Sequence, residues 1–133
     1  MTPKRSSRQR PAAACPCGLA ETYERCCGRF HRGEAAAPTA ETLMRSRYSA
    51  FVKRDEPYLL RTWHPRTRPP RVDFDAGMRW TGLEILATTD GSAFHTTGTV
   101  TFRASFGDGS LHERSRFERV EGAWVYLDGE FLD

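Results

Sequence analysis

All four cysteines of the chain lie between residues 15 and 27, as Cys15-Pro16-Cys17 and then the adjacent pair Cys26-Cys27. Thiolates at this density are soft ligands for a metal ion. Zinc prefers four ligands in a tetrahedron, delivered by short loops that close on tight turns. Pro16 and Gly18 suit such a turn at the first pair, and residues 22–26 could form the helical turn that delivers the second. Adjacent cysteines are poorly placed to bridge each other, and the C-x-x-C runs of iron–sulfur proteins are missing. A structural zinc would supply folding free energy on the order of 10 kcal/mol. The alternative is four ordinary buried or reactive thiols, which the clustering of every cysteine in one segment argues against. His31 is the only credible substitute ligand, and a place around the ligands or in solvent suits it better.

A second set of residues could do acid–base work. Glu113 and Asp128, flanking Ser115, fall on an otherwise aromatic face once the strands are registered as described below. Carboxylates there are costly unless paired or solvated. They could line the mouth of a pocket, with pKa values raised by desolvation. Arg45, Tyr48, Trp63 and His64 from the helices, with Tyr126 from the sheet, could complete that pocket. The plainer reading is a structural network in which Glu113 or Asp128 pairs with Arg45 or Arg47. His95 and His112 fall on the opposite face. The chain carries no nucleophile elbow, phosphate loop or dinucleotide fingerprint, so no reaction is assigned.

Two helices and a meander must position these residues. Thr39 follows Pro38 as an N-cap, and Ala40, Leu43, Met44, Tyr48, Phe51 and Val52 then recur at helical spacing. Arg45, Arg47 and Lys53 take the other faces. Asp55 caps a shorter helix that tolerates Pro57 in its first turn and stops near Trp63, because His64 precedes Pro65. Residues 65–79 read as an irregular loop with a brief strand at 72–74. From Phe94 to Phe106 apolar and polar residues alternate, and Asp90-Gly91, Asp108-Gly109 and Glu121-Gly122 punctuate the region as hairpin turns. The expected strands are 80–89, 92–106, 111–120 and 123–129. Two-residue turns then set Ala87 opposite Phe94, Phe102 opposite Ser115, Phe117 opposite Tyr126 and Ser115 opposite Asp128. In that register the apolar sets of all four strands share one face, giving an α+β layer under the helices.

The chain has 133 residues, of which 38% are hydrophobic and 28% charged, enough for one small domain with an appendage. Its net charge of +3 is uneven. Residues 1–32 carry Lys4, Arg5, Arg8, Arg10, Arg25, Arg29 and Arg32 against Glu21 and Glu24, whereas the remainder is slightly acidic. Residues 1–13 read as a disordered basic tail, residues 14–33 as the metal-binding segment, and residues 34–133 as the α+β domain. A basic tail could serve as a nucleic-acid or ribosomal-RNA arm. Tyr23 and Phe30 are the only aromatics beside it, and zinc on four thiolates adds a net −2, which weakens the case for nucleic acid. No apolar run reaches the roughly 18 residues of a membrane span, and no signal-peptide pattern opens the chain, which favours the cytoplasm.

The run CPCGLAETYERCCGRFHRG resembles the SEC-C zinc motif, found at the C-terminus of the translocation ATPase SecA and in small bacterial proteins. With LMRSRYSAF (43–51), TWHP (62–65), WTGLEIL (80–86), LHERSRF (111–117) and WVYLDG (124–129), the chain closely resembles the YchJ-type family. The resemblance spans residues 14–130. It implies an N-terminal SEC-C knuckle followed by a nuclear transport factor 2-like (cystatin-like) domain, a cone of curved antiparallel sheet closed by helices. It places the zinc ligands on Cys15, Cys17, Cys26 and Cys27, although some SEC-C motifs have His at the position of Cys27. The family's usual Gly-Ser-Gly after the second cysteine is here Gly18-Leu19-Ala20, which leaves the ligands intact. The SecA motif contacts a chaperone and the ribosome, which by analogy implies a protein or ribosome partner. A cone of this kind can also hold a small ligand.

Overall fold

A computed structural model describes residues 13–132, so the expected tail at 1–13 lies almost wholly outside the described residues. A short 3-10 turn, Tyr23–Arg25, leads into helix α1 (Cys27–His31). Helices α2 (Ala40–Lys53) and α3 (Glu56–Arg61) follow, and then strands β1 (Trp80–Asp90), β2 (Thr97–Phe106), β3 (Gly109–Val120) and β4 (Ala123–Phe131). The strands form one antiparallel sheet in sequential order.

The caps are those the sequence predicts. The Thr39 hydroxyl accepts from the Thr42 amide at 3.1 Å, and the Asp55 carboxylate accepts from the Tyr58 amide at 3.2 Å. Each satisfies an amide that the first helical turn leaves unpaired. Helix α3 ends at Arg61, slightly before the expected stop, and no strand forms at 72–74.

Helix α2 is buried on two sides. Ala40, Leu43, Met44 and Tyr48 pack on Val100, Phe102, Ala104, Phe117 and Trp124 of the sheet. On its far side Ala50 joins Phe30, Tyr58 and Leu59 in a second cluster. This is why polar positions of α2 are buried as well: Ser46 and Ser49 have no exposed surface and Arg47 is 3% exposed. Arg47, which the sequence sets off the apolar stripe of α2, is therefore buried by the second layer. A helix sandwiched between two layers has no free face for it.

The sheet differs from expectation at two of its three turns. Glu121 and Gly122 both have positive φ, 53° and 85°, as a type I′ turn requires, and Phe117 pairs with Tyr126 as expected. At the second turn Phe106 pairs with Gly109, so the two-residue loop is Gly107-Asp108 rather than Asp108-Gly109. Gly107 has φ 51° and leads the loop, the arrangement of a type II′ turn. The partners move by two: Phe102 faces Glu113 instead of Ser115. An even shift leaves every side chain on its face.

At the first turn Asp90 pairs with Gly98, leaving a wide loop in place of the expected hairpin. Phe94, expected to pair with Ala87 on the core face, is 95% exposed. The reason is packing between two glycines. A Cβ on Gly98 would meet Gly91 Cα at 2.5 Å, and the Gly91 carbonyl accepts from the Ala40 amide at 2.9 Å. The loop is thus tied to the start of α2, and Arg119 stitches it down by donating to the carbonyls of His95, Ser92 and Ala93.

The outer edge of β4 is covered by the segment after α3. His64 donates its amide to the Tyr126 carbonyl at 2.7 Å, and Tyr126 donates to Thr62 at 2.8 Å. At Tyr126 the edge is thus closed to further strand pairing.

Candidate functional site

The cysteine centre is built from two turns brought together. The Ala14–Thr22 bridge and the Cys15 amide on the Glu21 carbonyl, at 2.8 Å, close the first loop. Gly18, with φ 95°, permits its tight return. The 3-10 turn and α1 carry Cys26 and Cys27, with Gly28 packed so closely on Tyr23 that a Cβ would lie 2.7 Å from the Tyr23 carbonyl oxygen.

All four sulfurs lie within 4.8 Å of one another, Cys17 to Cys26 at 3.6 Å. Sulfurs around one zinc at the usual bond length are separated by about 3.8 Å, so the donor set and its size fit a tetrahedral site. The four cysteines are between 0% and 6% exposed. With four protein ligands and no open face, such a site is structural rather than catalytic. The electrostatics agree. Hydrogen bonds from Cys27 and the other thiols hold the Cys17 pKa down to about 5. Burial, with the thiolate of Cys17 alongside, pushes Cys26 up to about 12, and Cys27 rises further because it donates to Cys17. Of Cys17, Cys26 and Cys27, Cys17 is therefore the thiol that ionises first, and its charge holds protons on the other two.

The knuckle is fastened to the domain by polar contacts. Arg45 donates through Nη1 to the Cys17 carbonyl at 2.7 Å and through Nε to Glu41 at 3.1 Å. Cys27 Sγ lies 3.6 Å from the Arg45 carbonyl oxygen, and Cys15 Sγ 3.5 Å from Ser49 Oγ. His31 is not in the sulfur group. Its Nε2 donates to the Ser46 carbonyl at 2.8 Å, which leaves Nδ1 to accept from Tyr23 Oη at 2.6 Å. Burial holds the His31 pKa below its ordinary value. His31 therefore joins the knuckle to α2 as a neutral bridge.

The second constellation is only partly assembled. Tyr48, Trp63, Glu113, Ser115 and Tyr126 line one cavity of about 130 Å³ between α2 and the sheet. Three expected members lie elsewhere. Arg45 is at the knuckle, as described. His64 pairs with Glu118 at 3.2 Å outside the cavity lining. Asp128 lies on the outer face, where it accepts from Arg116 Nε at 2.6 Å. The cause is a bulge: Phe117 pairs with Tyr126 but Arg116 pairs with Asp128, so Leu127 is an extra residue on β4. One inserted residue moves everything beyond it to the opposite face. Ser115 consequently faces Gly129, not Asp128.

The expected ion pair of Glu113 or Asp128 with Arg45 or Arg47 does not form among the described residues, since Arg45 pairs with Glu41 and Asp128 with Arg116, but Arg47 does line the cavity. Arg47 takes the place expected for Arg45. Its guanidinium lies 4.9 Å from the Trp63 ring centre and 4.7 Å from that of Tyr126. Its Nη1 donates to the Leu59 carbonyl at 2.9 Å and to Thr62 Oγ1 at 2.8 Å. Burial lowers its pKa to about 10, so it stays cationic at neutral pH. Gly129 leaves room for Glu113, whose Oε2 accepts from Ser115 Oγ at 2.8 Å and Tyr126 Oη at 3.3 Å. Burial, with Glu113 beside it, raises the Tyr126 pKa. The Cβ-free space at Gly129 has no signal in a single sequence.

A four-cysteine knuckle fused to a helix-covered antiparallel cone defines a SEC-C protein with an NTF2-like domain. Residues 13–29 match the SEC-C motif and residues 39–129 match the description "YchJ, middle NTF2-like domain". The chain belongs to this YchJ family, and relatives in it carry the name UPF0225. One from Streptomyces coelicolor is 79% identical over 123 residues, covering 92% of this chain and 99% of the relative. The solution structure of a SEC-C motif containing protein from Rhodopseudomonas palustris is 34% identical, with a TM-score of 0.76 over 90% of this chain and 98% of that one. The crystal structure of a SEC-C motif containing protein from Psychrobacter arcticus is 31% identical, with a TM-score of 0.70 over 86% and 80%. Among the described residues no helix is long and apolar enough to cross a membrane.

Proposed function

We propose that the chain is a zinc-binding protein in which a four-thiolate centre locks the SEC-C knuckle onto an NTF2-like cone. In this reading the protein works by binding a protein or ribosomal partner. The observation that carries the zinc assignment is the set of four buried cysteine sulfurs within 4.8 Å of one another. Bound zinc would supply rigidity, and the chain's own residues hold the knuckle in place through Arg45, His31 and Tyr23. An interaction role is supported by a groove of about 340 Å³ beside the centre, lined by Leu19, Phe30 and Pro38 with Arg29 and Arg45.

Purified protein should hold one zinc per chain, and a Cys26→Ser, Cys27→Ser variant should lose it. Retention of stoichiometric zinc in that variant would refute the site. Co-sedimentation with ribosomes over a salt series tests the partner. Binding that survives deletion of residues 1–13 assigns it to the knuckle, and binding lost with that deletion assigns it to the basic segment.

A second reading, that the cone holds a small ligand, is favoured by the cavity in which Arg47 and Glu113 are buried. With Asp128 on the outer face, a Glu113/Asp128 acid–base pair has no geometric support.

A further inference from the structure

Arg47 is the one strongly basic group among the buried residues of the described chain. A buried guanidinium is expensive unless its charge and its donors are matched. Here two aromatic rings and two acceptors on one nitrogen provide part of that match. Among the described residues Arg47 forms no ion pair within 4.0 Å, and only its Nη1 hydrogen-bonds; Nε and Nη2 are without a protein partner but keep accessible surface, so they face open space rather than packed protein. Those two nitrogens make up the side-on fork of a guanidinium, the edge that grips a carboxylate with two parallel bonds. Arg116 uses the same fork on Asp128 in this protein. In Arg47 the fork is free, and the residue lines the cavity.

The remaining walls set the size and character of what could enter. Trp63, Trp80, Phe102 and Leu111 make them predominantly apolar. The volume of about 130 Å³ is close to the about 150 Å³ of a cavity known in another protein to admit benzene. It is well below the roughly 300 Å³ at which drug-sized pockets begin. Nucleotides and acyl chains are too large, and one ring or a short branched chain fits. Trp63 also lines the cavity, and its indole N–H is buried without a partner among the described residues. Glu113 is engaged by the Ser115 and Tyr126 hydroxyls, which hold its carboxylate at the sheet.

We propose that this cavity binds a small organic monocarboxylate with a single flat or short branched apolar body, its carboxylate received by Nε and Nη2 of Arg47. The proposal rests on the second reading above, that the cone holds a small ligand. Binding would pair the buried cation and fill the apolar space in one step, and a cavity of this size selects against longer acids.

The test is calorimetric titration of zinc-loaded, full-length protein with benzoate, benzyl alcohol and benzylamine, three probes of similar size and different charge. Benzoate should bind at least about tenfold more tightly than benzyl alcohol, the effect of one charge-assisted contact. Arg47→Lys keeps the charge but removes the fork, and should reduce that preference by about fivefold or more. Because Arg47→Lys could disturb folding, Glu113→Gln provides an independent arm. Removing the neighbouring negative charge should strengthen benzoate about threefold or more relative to benzyl alcohol. Equal binding of benzoate and benzyl alcohol would overturn the acid assignment and leave the ligand-binding cone standing. Preference for benzylamine would overturn it in favour of a cationic ligand at Glu113. Failure of all three to bind below about 10 mM, a free energy near −3 kcal/mol, would overturn both. The zinc reading is checked separately by metal content of the same sample.

Discussion

Gly129→Ala should destabilise the protein through Glu113. The new methyl group would overlap Glu113 Oε2, lie 2.9 Å from its Cδ and lie 3.2 Å from the Arg114 carbonyl oxygen. The backbone oxygen cannot move far, so the buried carboxylate must rotate away from Ser115 and Tyr126. Hydrogen bonds to charged groups contribute about 1.5 kcal/mol or more, and the 3.3 Å contact to Tyr126 is long enough to count for about 0.5 kcal/mol. Relief of glycine's entropy in the unfolded chain returns about 0.5 kcal/mol. Crowding against Arg114 adds up to about 1 kcal/mol. The net is a loss of about 2 kcal/mol, or a Tm lower by about 8 °C for a domain of this size. Urea unfolding of zinc-loaded protein, followed by fluorescence of the three tryptophans, would measure it. The decisive comparison is the same substitution in a Glu113→Ala background. There the methyl group has no carboxylate to displace, and Gly129→Ala should cost less than about 0.5 kcal/mol. Equal costs in both backgrounds, within the about 0.5 kcal/mol at which independent sites add, would refute the coupling.

Three further outcomes follow from the contacts described. Thr39→Ala removes the cap on the Thr42 amide and should cost about 1 kcal/mol in urea unfolding; no change would contradict the cap. The Asp128 carboxyl is held below its ordinary pKa first by the hydrogen bond from Arg116 and then by that cation's charge. A lowered carboxyl pKa stabilises the fold above the unfolded value, near pH 4, and that contribution fades as pH falls through the folded value. Because the pair is exposed, Asp128→Asn should change stability only slightly at pH 7 and should leave benzoate binding unaltered; a large loss of binding would place Asp128 in the cavity after all. Burial disfavours the charged form of His31, so an NMR titration of its ring should show a midpoint below 6.5. Its contribution is then present above pH 6.5 and is lost as pH falls toward the folded value. A midpoint at or above 6.5 would contradict the neutral bridge to Ser46.

Legibility in the sequence followed the range of the interaction. The four cysteines declared their site because the ligands are local and their chemistry is specific. Thr39 and Asp55 were readable because a cap acts within four residues. Strand alternation and the Glu121-Gly122 turn carried the β3–β4 pairing near that turn. The misreadings arose where tertiary contacts outvote a dipeptide. Asp90-Gly91 looks like a hairpin turn, yet Gly91 is spent on packing against Gly98 and Ala40. At Gly107-Asp108-Gly109 two turn types compete, and only the pairing of Phe106 with Gly109 decides between them. Leu127 is an ordinary strand residue, so nothing local announced the bulge that carries Asp128 to the outer face. Helical periodicity reports one buried face and leaves Arg47 off it, whereas α2 is covered on two.

The proposed centre is one zinc held by four thiolates. X-ray absorption at the zinc edge on purified full-length protein tests it most directly. One zinc per chain is expected, with four sulfur neighbours at about 2.3 Å and no nitrogen or oxygen in the coordination sphere. A nitrogen neighbour, which would recruit His31, or a protein that carries no zinc while its thiols remain reduced, would contradict it.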